Sequence, residues 1–460
     1  MKREDDEYKS FQYDGSIEIL DNPLTTDEQY QIKLFRDTYN AHYIKHLSPV
    51  KQRYATDDNP ILKRLLVNLH APSINPDYIE GPISFYHIKL GLKTFYLFGE
   101  LHINTKGHCS SVENMLEFPD YIKLLSRFSP SFTDIYVELP MVYPIEEKDD
   151  RIPSFYNINL DWLRSSFAIE KTIEMMIDHG YRYGLDTFDF ESVLLSEMIK
   201  VSEDEEQDDD TNLQLILNQY KECIQPSTRT NEQCQLMRIH NIDIRTSWNR
   251  ALLSNHFYIQ VIYNIIDICE TTQQRIKILN RIGLPILEVM EVFTKPDEQI
   301  IDSIIELYKT NPFIKKELEK RTYNEEAITQ FIKYKIEQCF IDNQFEPEVF
   351  FAVKRSIETV TPVSDRYLRE VYEILFEVAK LSMDMYALCR IFKEHVPREG
   401  SVSIQPLQSM NVIVYTGNDH IETYREFLLS DWIGGQELYS YVNPNNGEDG
   451  TGSCVMMRKK

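Results

Sequence analysis

The sequence predicts an α/β protein. It would have a mixed, largely parallel central sheet flanked by helices, a large all-helical insertion and an N-terminal helical extension. Three observations carry this expectation. Between residues 83 and 186, short apolar runs alternate with amphipathic helical stretches, the pattern of strand–helix–strand units with parallel members. From 212 to about 397 the pattern is helical throughout. Near 410 a β-rich apolar run returns in "MNVIVYTGNDH", so the sheet resumes after the insertion.

Residues 1–82 are polar. Within them "TTDEQYQIKLFRDTYNAHYIKHL" repeats Tyr, Ile, Leu and Phe at three-to-four spacing, giving one apolar helical face. "ISFYHIKLGLKTFYLFGELH" follows as two β-rich runs divided by Gly91-Leu92-Lys93, a hairpin signature. "SSVENMLEFPDYIKLLSRF" reads as a helix and "FTDIYVELP" as a short strand ending on Glu138. "DWLRSSFAIEKTIEMMIDHG" reads as an amphipathic helix closed by Gly180, and "YRYGLD" as a strand ending on Asp186. The acidic run "VSEDEEQDDDT", 201–211, predicts a solvated loop. It lacks the glycine and final glutamate of an EF-hand loop. After the insertion at 212–397 and the strand ending near His420, a helix starts at "IETYREFL". The segment 437–460 contains "NPNNGEDGTGSC", poor in apolar residues, and predicts a flexible tail. The α/β domain would thus run from 83 to 436.

Bulk composition narrows the class. The chain has 460 residues, 42% of them hydrophobic, so a sizeable core is expected. It carries 49 Lys and Arg against 73 Asp and Glu, a formal charge of −24. A field of that sign repels phosphate backbones and argues against nucleic acid as a partner. Seven cysteines, an odd number with no C-x-x-C pair, predict neither a disulfide framework nor a Cys-rich zinc site. "MKREDDEYKS" lacks the apolar core of a signal peptide, and no run of about 18 apolar residues occurs. A soluble cytoplasmic protein is expected. Ile, Asn, Lys and Tyr are abundant while Gly is scarce. Products of AT-rich genomes show this usage, large DNA viruses among them, which would place the protein in host cytoplasm or virion.

The chemistry-bearing residues fall at strand ends. Side chains i and i+2 of a strand share a face, so Glu100 and His102 of "FGELH" would point the same way. Ligands of parallel sheets bind beyond the strand carboxyl ends. Glu138, Asp186 and His420 would arrive at that same rim. "YLFGELH" and "VYTGNDH" both run apolar strand, Gly, two residues, His. Chance supplies roughly a third of one such motif in a chain of this composition, and two are present. Two imidazoles with carboxylates suit a divalent transition ion, which polarises carbonyls and acidifies bound water. A metal-free version also fits, with His102 or His420 as general base and Glu100 or Glu138 orienting it.

The order "FGELH", "YVELP", an Arg-bearing helical stretch and "YTGNDH" resembles the Tiki/TraB/GumN group. That group lies in a wider superfamily with the ChaN-like proteins and erythromycin esterases. The resemblance covers about 83–436 through short motifs: Gly99 with His102, Glu138, and Gly417 with His420. Glu100 resembles the G-E-x-H form of ChaN-like members. "HNIDIRTSWNRALLSNHF" is similar to the family's arginine-bearing helix, with Arg245 the first candidate and Arg250 the second. The chain departs from the family in its long helical insert and in "TGNDH", where small residues are more usual. The resemblance implies a metal-dependent hydrolase of amide or ester bonds. His102, Glu138 and His420 would hold Mn, Zn or Co, and Glu100 and Arg245 would complete the catalytic set. It implies a small-molecule or peptide substrate. The alternatives it leaves are an inactive member that binds a protein partner through the helical insertion, or a haem or iron binder like ChaN-like relatives.

Overall fold

A computed structural model describes residues 78–91, 93–101, 115–122, 133–140, 162–189, 193–194, 196–197, 212, 215–216, 237–245, 256–282, 284–319, 322, 324–393, 395, 409, 411–443 and 454–457. The chain forms two compact units. The first comprises Met1–Glu138, Asp210–Asn241 and Glu394–Lys460; the second comprises Leu139–Asp209 and Ile242–Lys393.

The fold is α/β, and the first unit carries the sheet. Its strands are β1 (Tyr78–Glu80), β2 (Ser84–Leu90), β3 (Lys93–Glu100), β4 (Met115–Glu117), β5 (Thr133–Pro140), β6 (Met237–Asp243), β7 (Asn411–Gly417), β8 (Gln436–Val442) and β9 (Cys454–Met456). Six of them form one mixed sheet in the order β6-β5-β7-β3-β2-β8, and β4-β1-β9 form a small second sheet. The central strands β3, β7 and β5 are parallel, with Phe95 and Ile135 flanking Val412 and Ile413 in register. Phe95, Leu97, Phe98, Ile135–Val137 and Val412–Tyr415 are all buried. Near-continuous apolar runs of this kind are what strands covered on both faces require. β2 and β3 form the expected hairpin, with Leu90 opposite Lys93 and Gly91 at φ +57. A left-handed residue at that turn favours glycine.

Cross-strand register assigns side chains to the two faces. Ser84, Tyr86, Leu97, Gly99, Val414, Thr416 and Tyr136 share one face. Helix α10 (Asn418–Leu429) packs there against β2, β3 and β7. Its Asn418 accepts a hydrogen bond from Ser84 Oγ at 2.5 Å, and its Glu422 accepts one from the Tyr86 hydroxyl. The opposite face carries Phe85, Phe98 and Tyr415. Phe118, in the helical turn 118–122, stacks on Tyr415 at 4.0 Å and meets Phe98 edge-on at 5.0 Å.

The second unit is helical: α1 (Trp162–Tyr183), α2 (His256–Ile268), α3 (Thr272–Ile282), α4 (Leu284–Phe293), α5 (Asp297–Thr310), α6 (Pro312–Leu318), α7 (Glu325–Asp342), α8 (Pro347–Thr359) and α9 (Asp365–Ile391). α9 is its axis and touches α2, α6, α7 and α8. From Leu381 to Cys389 every α9 residue is buried, as expected of a helix surrounded by others. Glu317 of α6 is buried in this unit and accepts from Arg390 Nη1 at 2.8 Å and from Lys393 Nζ.

Several expectations need correction. Met115–Glu117, read as helical, pairs in parallel with β1. α1 runs past Gly180 to Tyr183 and stops before Gly184, which adopts φ +84. "YRYGLD" is therefore no strand: Tyr181–Tyr183 end α1, and Leu185–Thr187, including Asp186, form a 3-10 turn. Its tyrosines mimicked β propensity, but Tyr181 and Tyr183 are 73% and 70% exposed, which no strand buried on both faces permits. The insertion at 212–397 is not all-helical, because β6 joins the main sheet from within it. α1, placed with the α/β domain, belongs to the helical unit. The segment 437–460, expected to be a flexible tail, supplies most of β8 and all of β9. β8 pairs with β2 because its alternating exposed and half-buried side chains suit an edge strand. Cys454 of β9 is disulfide-bonded, where no disulfide framework was expected. The N-terminal helical stretch and the acidic loop lie outside the described residues. Among the described residues no helix is long and apolar enough to cross a membrane.

Candidate functional site

Glu138 and His420 come together where the parallel strands end. Glu138 follows Tyr136 on the α10 face of β5. Its Oε2 accepts a hydrogen bond from the Gly417 N–H at 2.7 Å, and its Oε1 lies 3.6 Å from His420 Nε2. Both side chains are almost wholly buried. His420 is not at a strand end, as "YTGNDH" suggested. β7 stops at Gly417, and α10 begins at Asn418, so His420 sits in the first helical turn. The ring of Tyr424, one turn later, lies 6.3 Å away at 23°.

The glycine of "FGELH" has a spatial reason. A Cβ on Gly99 would lie 2.4 Å from Ser84 Oγ, 2.5 Å from Asn418 Oδ1 and 3.0 Å from Asn418 Cα. The start of α10 thus rests directly on β3, and no other residue leaves room. Gly99→Ala is expected to destabilise the protein by about 1–3 kcal/mol, the usual range for overpacking. Urea denaturation would show it; an unchanged midpoint would mean that α10 does not bear on β3.

Glu100 reaches the same edge but not the same face. It stands beside Gly417 in register, yet alternation along β3 sets it with Phe98, opposite Gly99 and α10. There it faces Tyr415, whose phenol is held well above its ordinary pKa by burial and then by the charge of Glu100. The expectation that Glu100 and Glu138 converge is corrected by this pleat.

Arg245 lies just beyond β6 in a turn, not on a helix. Its backbone N–H and its Nε each donate to Asp243 Oδ1 at 2.9 Å. A strand followed by a turn replaces the arginine-bearing helix of the sequence reading. His102 and Arg250 lie outside the described residues.

A second polar cluster, which sequence reasoning missed, occupies the other end of the same face. Asp134 starts the row that Tyr136 and Glu138 continue, about 13 Å from Glu138 along β5. Arg238 of β6 grips it through two hydrogen bonds, Nε to Oδ1 at 2.6 Å and Nη2 to Oδ2 at 2.8 Å. His240 Nε2 lies 3.2 Å from the same Oδ1. The His240 ring is sandwiched between Tyr136, at 4.5 Å, and His395, at 4.8 Å. Burial pushes the Asp134 carboxyl up, but the Arg238 charge and the hydrogen bonds from His240 and Arg238 outweigh it, leaving its pKa well below 3.8. The i, i+2 spacing of Arg238 and His240 was the available signal, hidden because "MRIHNID" reads as polar.

Fold and edge together define an α/β protein with a carboxylate–imidazole pair at the carboxyl ends of parallel strands, Glu138 within β5 and His420 just past β7. No family model, no curated protein and no solved structure matches the chain.

Proposed function

We propose that the protein is a metal-dependent hydrolase of amide or ester bonds, working at the β5/β7 edge in the manner of the Tiki/TraB proteins that its motifs resemble. One observation carries the reading. Glu138 and His420 hold an oxygen and a nitrogen 3.6 Å apart, too far for a hydrogen bond. Two ligands at 2.0–2.1 Å in tetrahedral array would lie about 3.3 Å apart, so the pair fits Mn, Zn or Co with little movement. His102 is the third ligand that the sequence offers. Such an ion supplies carbonyl polarisation and an acidified water.

The chain's own residues account for the rest. The Gly417 N–H fixes one oxygen of Glu138 and leaves the other directed at His420. Glu138 is thereby held in one orientation. With an ion bound, His420 Nε2 would serve as a ligand; in a metal-free version the same imidazole would instead accept a proton from water attacking a carbonyl and return it to the leaving group.

The full chain, supplied in turn with Mn, Zn and Co, would be assayed on panels of chromogenic esters and peptide anilides. Turnover is expected, falling about 10²–10⁴-fold in Glu138→Gln and His420→Ala with the circular dichroism spectrum unchanged. Silence of the parent on every substrate, or undiminished turnover in both variants, would sink the hydrolase reading. The inactive, partner-binding reading would then take its place.

A further inference from the structure

We infer that Asp134, His240 and His395 form a second binding site, for a divalent first-row transition cation, at the opposite end of the sheet face from Glu138 and His420. Their ligand atoms all lie within 4.8 Å of one another. Asp134 Oδ1 and His240 Nε2, at 3.2 Å, already stand at the separation of about 3.3 Å that two ligands of one tetrahedral ion would take. Two imidazoles and one carboxylate suit Zn²⁺, Fe²⁺ or Co²⁺ and disfavour Ca²⁺ and Mg²⁺, which prefer oxygen.

The surroundings resemble a built site more than a chance meeting of side chains. Asp134 and His240 are 3% and 4% exposed, on neighbouring strands whose backbones fix them. Arg238 takes one lone pair of each carboxylate oxygen and so sets the carboxylate plane. The second lone pair of Oδ1 is left toward His240. Tyr136 beneath the His240 ring restricts its tilt. Outer groups that orient ligands in this way are the usual support of a metal centre. His395 is half-buried and stacked on the His240 ring, so its ring would have to turn to complete the set. The Arg238 charge opposes a cation, so the site is weaker than an all-anionic one.

The inference stands apart from the hydrolase reading, and one experiment separates them. The full chain would be stripped with chelator, reloaded with excess Co²⁺ alone and dialysed. Bound cobalt would be read by elemental analysis and by visible d–d absorption. Besides any equivalent held at Glu138 and His420, the parent is expected to keep one that His240→Ala and His395→Gln each lose and that His420→Ala retains. His395→Gln alters only a half-buried side chain, which guards against loss through misfolding. Equal cobalt and equal spectra in the parent and in both His240→Ala and His395→Gln would overturn the site, as would a parent that binds none. Loss of an equivalent in His420→Ala concerns the other edge alone.

Discussion

Arg238→Ala is expected to destabilise the protein by about 3–5 kcal/mol, because it leaves the buried Asp134 charge without its principal partner. Urea denaturation in chelator, which keeps cations out, measures this directly. The effect should depend on pH in a defined sense. The folded Asp134 pKa lies well below 3.8, so its contribution is fully present above the unfolded value of about 3.9. It is lost as pH falls from there through the folded value. The gap between parent and variant should therefore narrow in acid and stay constant near neutrality. A double change, Asp134→Leu with Arg238→Met, should recover most of the loss, since apolar replacement of a buried pair is often neutral. A gap that widens in acid would show that Asp134 is not the group held by Arg238.

Glu317→Ala is expected to cost a similar amount in the helical unit, about 3–5 kcal/mol. Lys393 is buried, and Glu317 holds both it and Arg390. Removing the carboxylate takes from a buried ammonium the anion that Lys393 now contacts. Glu317→Gln retains the shape but not the charge, and should fall between parent and Ala. Calorimetric melting points in that order would support the account. Equal melting points for Gln and parent would mean that hydrogen bonding, not charge, holds α6 to the end of α9.

The sequence made the α/β class and the hairpin legible because both rest on local pattern. Phe95–Phe98 and Val412–Tyr415 are apolar without interruption, and Gly91 marks the turn between β2 and β3. The site was legible in half. Glu138 and His420 follow apolar runs, so their arrival at one edge needed only the rule that parallel strands end together. The separation of Glu100 from Glu138 was not legible, because it depends on which face of β3 meets α10. Gly99 decides that, and its reason is a contact with Asn418, more than three hundred positions away. β6 was missed because Arg238 and His240 look like surface residues until Asp134 is placed beside them. α1 was cut short because Gly180 looked like a terminator, while Gly184, with its positive φ, is the residue that serves.

The strand order β6-β5-β7-β3-β2-β8 has a consequence for how the protein is made. β7 lies between β3 and β5, yet about 270 residues of chain separate it from β5. At synthesis rates of 5–20 residues per second, β3 and β5 leave the ribosome roughly 15–55 seconds before the strand that joins them exists. Throughout that interval the nascent chain carries two strand edges awaiting a partner, while the intervening helices can already assemble. Gly417, Asn418 and His420 arrive with β7, so the edge that holds Glu138 is completed only once that strand has been made.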